Sequence, residues 1–416
     1  MNQKAAKKKF YIILVLGMLT ALGPFSIDMY LPAFPSIAKG LNTTVAQVML
    51  SLSSFFIGIS AGQLVYGPLL ERYGRKRPLY VGLVIYLLAS IGCALATSVN
   101  GLILFRLLQA LGGCAGMVAA RAIVRDIFEV KENAKIFSSL MLVVAVSPII
   151  APTLGGYVTS TLGWRYVFAM LIIVDVIILV VITGFLPESK DPDPNFSLKP
   201  APILKNFTAI VKHPQFYTYT LAGSVAYAGL SAYISGSPHV FMEIFQVSEK
   251  QYGWIFAFIA LGLITASQIN NLLLRKYTSS HIIKIALYIQ GCIGLVLAAV
   301  TILGVSQLFL TIFLIFVFLS CQGFIFPNSS ALSLAAFGHT AGSASAMMGA
   351  IQMSIGASAS AIVSFLQNDT ALPMTGVMAC SPIVALLIFF WGRKMIIQRA
   401  SIERVEEEEL EMISTL

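Results

Sequence analysis

Twelve apolar stretches, each about 20 residues long, follow one another along the chain and are separated by short charged segments. An α-helix rises 1.5 Å per residue, so a stretch of this length crosses the hydrocarbon core of a bilayer. The composition leaves no soluble alternative, because 57% of the residues are hydrophobic and only 11% are charged. An ordinary globular domain has about 25% charged residues. We therefore predict an all-α membrane protein, and the net charge of +9 does not indicate a nucleic-acid partner.

A proline-rich, charged segment divides the twelve stretches into two sets of six. Six prolines and charges of both signs lie between residues 187 and 214, a composition typical of a linker. Similar sequences close the second stretch at 67–73 and the eighth at 271–277, which predicts two pseudo-symmetric six-helix bundles. Halves related in this way usually enclose a binding site near the middle of the membrane. The predicted parts are a basic cytoplasmic N-terminus at 1–10, an N-terminal bundle at 11–186, a cytoplasmic linker at 187–215, a C-terminal bundle at 216–396 and an acidic cytoplasmic tail at 397–416.

The basic residues predict the direction in which the chain crosses the membrane. All but four of the 27 Lys and Arg residues fall on the side that carries the N-terminus. The exceptions are Lys39, Arg165 and Lys250 on the opposite side and Arg106 inside a stretch. Because cytoplasmic loops are the ones enriched in Lys and Arg, we predict that both termini are cytoplasmic. The first apolar stretch is too long for a cleaved signal peptide and is interpreted as a retained span.

Three ionisable residues lie well inside the predicted spans: Asp28, Arg106 and Asp175. Charges at the bilayer centre cost about 2.5–3.5 kcal/mol on insertion scales and usually mark function. Asp28 stands between Pro24 and Pro32, which predicts a bent helix with free backbone groups. A low-dielectric environment favours the neutral form of a carboxyl group, so Asp28 is a candidate proton carrier. The alternative is a side chain that only caps the broken backbone.

The other two buried charges leave more than one interpretation open. The Arg106 guanidinium does not deprotonate and needs an acceptor or a water-filled cavity. Gln109 lies about one turn away on the same face, and a purely structural pair with a carbonyl is the alternative. Asp175 has no polar neighbour at helical spacing. We interpret it as a hydrogen-bonded or neutral packing residue, with a second proton site as the alternative.

Four segments carry a resemblance to a known family. Residues 67–77 (GPLLERYGRKR) are similar to G-x-L-x-D-R-x-G-R-[KR]-x, residues 106–112 to R-x-x-Q-x-x-G, and residues 147–156 to G-x-x-x-G-P-x-x-G-G. Residues 27–32 contain D-M-Y-L-P. With these motifs the chain resembles a twelve-span transporter of the major facilitator superfamily. Within it, the chain is similar to the bicyclomycin-resistance and chloramphenicol-efflux group of drug:proton antiporters.

The resemblance implies proton-coupled drug efflux by alternating access, with Asp28 and Arg106 in proton coupling. Some relatives carry a second acid before the first-span Asp, where this chain has Thr20, so coupling would depend more heavily on Asp28. Glu71 replaces the usual Asp of the first motif and is expected to pair with Arg125. The residues implied in conformational gating are Gly67, Glu71, Arg72, Gly74, Arg75, Arg125, Pro148, Pro152, Gly155 and Gly156.

A substrate cavity is predicted from aromatic and adaptable side chains, although each of them could instead be ordinary packing. Its candidates are Phe25, Tyr30, Phe55, Gln109, Met117, Tyr227, Tyr233, Phe256 and Gln352. The expected partners are a small molecule, protons and the lipid bilayer, with no cofactor, no metal and no nucleic acid. We expect a monomer in the bacterial inner membrane. A metabolite or siderophore exporter and a proton symporter remain alternatives, whereas the scattered histidines give no sign of a membrane-embedded enzyme.

Overall fold

Every regular element in the part of the chain that the structure describes is helical. The computed structural model describes residues 3–128, 130–194, 196–337 and 341–414. The helices are α1 Gln3–Asp28, α2 Phe34–Gly40, α3 Val45–Tyr73, α4 Lys76–Ala94, α5 Val99–Ile127, α6 Val130–Leu162, α7 Arg165–Phe185, α8 Pro200–Val211, α9 Pro214–Pro238, α10 Glu249–Leu273, α11 Ser279–Ile302, α12 Leu308–Leu334, α13 Ala341–Phe365 and α14 Leu372–Ser414. A 3₁₀ turn occupies Leu31–Ala33, and a π-helical turn occupies His239–Ile244.

The described helices confirm the prediction of an all-α membrane protein. Eleven helical segments in the described ranges are long and apolar enough to cross a membrane. The remaining predicted span is α9, which has 25 residues but carries many Ser, Thr and Tyr side chains. Most residues of α9 are buried, and some of its polar groups find partners inside the protein, whereas the hydroxyls of Thr218, Ser231 and Tyr233 have no hydrogen-bond partner among the described atoms. Thr220, for example, donates to the Ser333 hydroxyl at 3.1 Å.

Large apolar side chains cover the outside of the bundle. Leu88, Val180, Phe309 and Leu387 are each more than 60% exposed. A water-soluble protein does not expose so many large apolar groups together. In this chain they form the surface that faces lipid, which explains how so few charged residues suffice.

The helices form two groups that touch along two pairs of helices. In the first group α5 packs against α3, α4 and α1, and α7 packs against α4 and α1. In the second group α9 packs against α12, α13 and α14, and α11 packs against α12 and α14. The groups meet where α3 lies on α13 and where α6 lies on α10. Small side chains let these helices approach closely.

Serine hydroxyls hold the α3–α13 contact along its length. Ser53 donates to Ser360 at 2.8 Å. Ser60 shares a hydrogen bond of 2.8 Å with Ser354 and contacts the Ala350 carbonyl oxygen at 2.9 Å. Each of these polar groups is therefore satisfied by the neighbouring helix rather than by water.

The linker contains a helix that the sequence analysis did not predict. Pro200 occupies the first turn of α8, where a missing N–H costs nothing and the fixed φ suits the helix. Ile210 of α8 is buried and packs in a cluster with Phe216 and Ala344. The linker is thus docked on the second group of helices. At the end of the chain, the backbone of the acidic tail continues α14 as far as Ser414.

Candidate functional site

The first transmembrane helix breaks at Asp28, as its flanking prolines predicted. Asp28 is the last residue of α1, and the chain then turns through Leu31–Ala33 before α2 begins at Phe34. The residue is only 5% exposed, and its carboxyl group has no hydrogen bond or ion pair with the residues that the structure describes. The three tyrosines close enough to interact electrostatically with it lie on α9 and α10 of the other half: Tyr227, Tyr233 and Tyr252.

Two of these tyrosines, Tyr233 and Tyr252, form an aromatic group with Phe256 in the second half. Tyr233 stacks on Phe256 with ring centroids 5.4 Å apart, and Tyr252 lies 6.0 Å from the same ring. The hydroxyl of Tyr252 shares a 2.8 Å hydrogen bond with Ser237. Tyr233 and Phe256 were predicted from the sequence to line the cavity, whereas Tyr252 was not. Its position one turn before Phe256 on α10 is the signal that could have found it.

Arg106 is fully buried in the first half and is covered by two aromatic rings. Its guanidinium carbon lies 4.1 Å from the centroid of Phe55 and 4.4 Å from that of Tyr30. Nη1 donates to Oε1 of Gln109 at 2.6 Å, so the predicted neighbour on the same face is confirmed. Nε and Nη2 find no hydrogen-bond partner among the described atoms. Three predicted cavity residues therefore surround a buried cation.

A chain of neutral polar groups supports this arrangement. Gln109 Nε2 donates to the Ser90 hydroxyl at 2.7 Å, and Ser90 donates to the backbone carbonyl of Tyr86. Tyr30 shares a 2.7 Å hydrogen bond with Ser51. These bonds fix the planes of the Gln109 amide and the Tyr30 ring. Nothing in the sequence distinguished Ser51 or Ser90 from the other serines of the spans.

Asp28 and Arg106 make no contact with each other. The Asp28 carboxyl lies near tyrosines of the second half, whereas the guanidinium lies between Tyr30 and Phe55 inside the first half. Tyr30, two residues after Asp28, covers the guanidinium on the α1 side. In this conformation the Arg106 guanidinium therefore does not act directly on the Asp28 carboxyl group.

The other predicted cavity residues are distributed around this region. Phe25 is partly buried and packs against the apolar cluster that contains Tyr30 and Tyr233. Met117 lies against Gly23 of α1. Gln352 of α13 lines a small pocket whose other polar lining groups are hydroxyls on α9 and α12, at Tyr219, Thr220, Ser224, Ser329 and Ser330.

The loop between α3 and α4 is fixed by a compact set of ion pairs. Gly74 ends α3 with φ of +79°, a conformation that favours glycine. The side chain of Arg75 is 3% exposed and bonds to Asp126 at 2.7 Å and to Glu71 at 3.0 Å. Glu71 also pairs with Lys190 of the linker. The first motif of the sequence therefore joins α3, α5 and the linker.

The expected pair between Glu71 and Arg125 is absent from this conformation, in which Glu71 binds Arg75 and Lys190. One residue further along α5, Asp126 reaches this loop and binds Arg75, while the Arg125 guanidinium lies against Gly342 at the start of α13. Successive residues differ by 100° around a helix, since 3.6 residues make a turn. The adjacent side chains of Arg125 and Asp126 therefore point in different directions and contact different elements, α13 and the α3–α4 loop.

The linker is tied to the same loop from the other side. Glu188 accepts hydrogen bonds from the backbone N–H groups of Arg75, at 2.7 Å, and Lys76, at 3.1 Å. Arg72 donates to the carbonyl oxygen of Phe196 at 3.0 Å. A carboxylate at the start of a helix satisfies free N–H groups and complements the helix dipole. Glu188 thus caps α4, which the sequence analysis did not predict.

The glycines of the α6 motif lie where the two halves meet near Asp28. Pro148 and Pro152 lie inside α6. A side chain at Gly155 would collide with the backbone carbonyl of Met29, and one at Gly156 would collide with that of Glu249 at the start of α10. The motif therefore allows α6 to contact the broken part of the first span and the second half. Gly67, by contrast, has open space around its Cα.

Contacts between the halves close the end of the molecule that is opposite the α3–α4 loop. Ser36 of α2 donates to Oε1 of Glu249 at 2.5 Å. Ser364 of α13 donates to the carbonyl oxygen of Ala46 at 2.5 Å. Within the described ranges, no group of three or more His, Cys, Asp or Glu side chains is placed to hold a metal ion.

Comparison with known proteins identifies the family. A family model described as Major Facilitator Superfamily matches residues 16–361. The chain belongs to the Major Facilitator Superfamily. This major facilitator protein is 30% identical to the bicyclomycin resistance protein homolog of Haemophilus influenzae over 94% of this chain and 98% of that one. It is also 30% identical to a chloramphenicol resistance protein of Pseudomonas aeruginosa, covering 87% of this chain and 86% of the relative.

Solved structures confirm the major facilitator fold. The crystal structure of a peptide transporter superposes with a TM-score of 0.73 over 93% of this chain and 94% of that one, at 14% sequence identity. At this identity the likeness shows the fold alone. The family and the fold together make this chain an integral membrane transporter of small molecules rather than an enzyme.

Proposed function

We propose that this transporter exports small amphipathic drugs from the cytoplasm in exchange for protons. The observation that carries the proposal is the position of Asp28. Its carboxyl group stands at a helix break between the two halves, nearly buried and without a hydrogen-bond partner in the described part of the chain. An acid placed in this way can change its protonation without breaking a structural contact. The drug-resistance names of the relatives support the substrate class.

The coupling follows from what each ligand stabilises. A proton and a drug drive exchange only if they favour different facing states. A neutral, protonated Asp28 is compatible with the closed aromatic surroundings, whereas a carboxylate next to tyrosine rings calls for a bound cation or water. Drug binding and proton binding at Asp28 would then exclude each other. Contacts such as Ser36 to Glu249 support a state that is closed at the end opposite the basic loops.

The aromatic group favours flat, amphipathic substrates. Tyr233, Tyr252 and Phe256 offer ring faces together with phenolic hydroxyls, and such residues combine a large apolar surface with a few polar anchors. No pair of acids faces this group among the described residues, which supports neutral or singly charged compounds over dications.

The setting of the protein completes the proposal. The excess of Lys and Arg on one side supports cytoplasmic termini, and the relatives come from bacteria, which supports an inner-membrane location. The proton gradient would drive transport without a cofactor, and one chain with two halves would suffice as a monomer.

The test is drug accumulation in inside-out vesicles under an imposed pH gradient, acidic inside. Wild-type vesicles are expected to accumulate drugs and to release them when a protonophore is added. Asp28→Asn is expected to accumulate no more than vesicles without transporter, because an amide cannot exchange a proton. Asp191→Asn, which changes an exposed acid of the linker, is the matched control and should match wild type.

Two outcomes would contradict the proposal. Gradient-driven transport at the wild-type level by Asp28→Asn would show that this residue is not the proton carrier. Proton-driven movement of a metabolite, with no response to any drug of a broad panel, would favour the metabolite exporter or the symporter on the same fold.

A further inference from the structure

A π-helical turn follows α9 at the outer end of the protein, the end opposite the α3–α4 loop, and carries an ionisable pair. The turn occupies His239–Ile244, and the N–H of Phe245 donates to the carbonyl oxygen of Val240, five residues earlier, at 3.0 Å. Turns of this kind are rare and are frequently found at functional sites. His239 begins the turn, and the side chain of Glu243 folds back to contact it.

Both nitrogen atoms of the His239 ring are bonded to oxygen atoms. Nδ1 binds Oε2 of Glu243, and Nε2 lies 3.1 Å from the carbonyl oxygen of Asn368, in the loop between α13 and α14. A carboxylate and a carbonyl oxygen can only accept hydrogen bonds, so each ring nitrogen needs a hydrogen. The number of protons is the same if the hydrogen between the two side chains belongs to the carboxyl group. The arrangement therefore binds one proton more than a neutral histidine beside a carboxylate.

The pair is in contact with water at the outer end. The Glu243 side chain is 40% exposed and the His239 side chain is 11% exposed, so a proton can enter or leave through the carboxyl group without crossing the bundle. Asp175 of α7 lacks such access, because it is 0% exposed. Its carboxyl oxygens have no hydrogen-bond partner among the described atoms, so it is not the hydrogen-bonded residue that one interpretation of the sequence expected.

Other ionisable groups lie on the elements that surround the turn. They are Lys39 of α2, Tyr233 of α9, Glu249, Lys250 and Tyr252 of α10, and Asp369 beside Asn368. Glu249 accepts from Ser36, and Tyr252 shares its hydrogen bond with Ser237. The Lys250 amino group lies over the ring of Tyr157, 5.3 Å from its centroid, and Lys39 and Asp369 are exposed. In the described structure none of these groups is bonded to the His239 ring, so Glu243 is the acid that balances its charge.

The turn connects this pair to the contact that closes the outer end. Val240 and Phe241, which lie between the two ionisable residues, are buried in the same apolar cluster as Phe34 and Ile37 of α2, in the first half. The ring centroid of Phe241 also lies 6.3 Å from that of Tyr252, in the aromatic group near Asp28. The residues that meet the first half are therefore held in place by the bonds of His239 and Glu243.

We propose that His239 and Glu243 form a pH-sensitive clamp, which holds the outer end closed while it carries its additional proton. A state that binds more protons is favoured as the pH falls, and histidine changes its charge between about pH 5 and 8. At acidic pH the ring binds both Glu243 and Asn368, and the turn stays against α2.

Loss of the proton at higher pH reverses these contacts. One ring nitrogen then presents a lone pair to an oxygen atom, so a hydrogen bond is lost and the turn loosens. Opening of the outer end is thereby favoured, whereas an acidic exterior keeps it closed. The clamp does not use Asp28 and goes beyond the proposed function, since it requires only that the outer end opens and closes.

Hydrogen–deuterium exchange of the purified protein in lipid, measured between about pH 5 and 8, tests the clamp without requiring transport. After correction for intrinsic exchange rates, the protection of residues 240–247 in wild type should fall by up to about tenfold for each pH unit, because one proton is released. His239→Gln should remove this dependence, since an amide does not bind the proton. His281→Gln changes an exposed histidine near the other end, and this matched control should behave as wild type. Protection that does not vary with pH in wild type, or that varies equally in His239→Gln, would overturn the proposal.

Glu243→Gln is a second variant, which keeps the proposal testable if His239→Gln does not fold. Without the carboxylate the ring has no negative partner for its additional proton, so protection should be lost at a lower pH than in wild type. Asp369→Asn changes an exposed acid beside Asn368 and serves as the matched control. A folded Glu243→Gln protein with the wild-type pH profile would contradict the role of the pair.

Distances between the halves show whether the clamp controls the outer end. Leu162→Cys at the end of α6 and Leu303→Cys after α11 place spin labels at positions that are 60% and 73% exposed, in a protein whose native cysteines are replaced by serine. The fraction of molecules with a long distance between the labels should grow as the pH rises, and it should stay constant when His239→Gln is added. A turn that loses protection while these distances stay unchanged would overturn the control of the outer end. If Asp28→Asn contradicts the proposed function, both measurements still decide the clamp.

Discussion

Replacing Phe55 by leucine tests whether this ring stabilises the Arg106 guanidinium or only fills space in the core. Phe55 was predicted to line the substrate cavity, but it is 1% exposed and its ring centroid lies 4.1 Å from the guanidinium carbon. The adjacent Phe56 is 0% exposed and packs in an apolar cluster. Phe56→Leu therefore removes a similar volume of buried ring and serves as the control.

The difference between the two variants gives the cation–π contribution. A cation over an aromatic face contributes about 2 kcal/mol when both groups are desolvated. We therefore expect Phe55→Leu to lose about 2 kcal/mol more of the unfolding free energy than Phe56→Leu, or about a 30-fold difference in the folding equilibrium constant. The measurement is reversible unfolding in mixed micelles by titration with SDS, followed by helical circular dichroism.

The same pair of variants shows whether Phe55 acts by stabilising Arg106 or by contacting the substrate. A residue that acts through Arg106 should lower the transport of all drugs by the same factor, because the coupling step is common to them. Substitution of a residue that contacts drugs should lower the transport of some drugs more than that of others. Equal losses of unfolding free energy in the two variants would refute the conclusion that the Phe55 ring stabilises Arg106. Effects of Phe55→Leu that differ between drugs would also refute it.

Two further predictions concern the contacts between elements. Gly155→Val places a branched side chain against the Met29 carbonyl and should abolish transport in vesicles. The amount of protein in the membrane should stay normal, because the substitution does not affect insertion. Unimpaired transport would contradict the close approach of α6 to Met29. Glu188→Gln removes the charged cap of α4 and should cost about 1 kcal/mol, measured as faster proteolysis of the linker than in Asp191→Asn. No difference from this control would contradict the capping role.

The fold was predictable because a membrane restricts which secondary structures the chain can form. In lipid every backbone polar group needs an internal partner, so long apolar stretches become helices. The break at Asp28 was also predictable, since Pro24 and Pro32 limit the helix locally. In α9, a serine- and threonine-rich composition lowers the hydropathy, but the C-terminal bundle predicted from residue 216 onward still begins with this helix. The signals for all these features are local in the sequence.

The details of the site depended on contacts that local signals do not contain. Helix α8 was missed because Pro200 and Pro202 suggested an irregular linker, although proline fits the first turn of a helix. Asp126, rather than Arg125, reached the α3–α4 loop because of the rotation of α5. The partners of the Asp28 region, such as Tyr252, come from the other half. None of these could be predicted without the packing of the helices.

Buried polar groups that have hydrogen-bond partners differ in position and charge from those that lack them. Ser53 and Ser60 have hydrogen-bond partners across the α3–α13 contact, as expected of groups that only hold helices together. A few neutral hydroxyls and amides lack partners, which costs about 1–3 kcal/mol each. For the ionisable groups Asp28, Arg106 and Asp175 the cost is higher. In the proposed transport cycle, another conformational state, a proton or a substrate would supply the missing partners of these three groups.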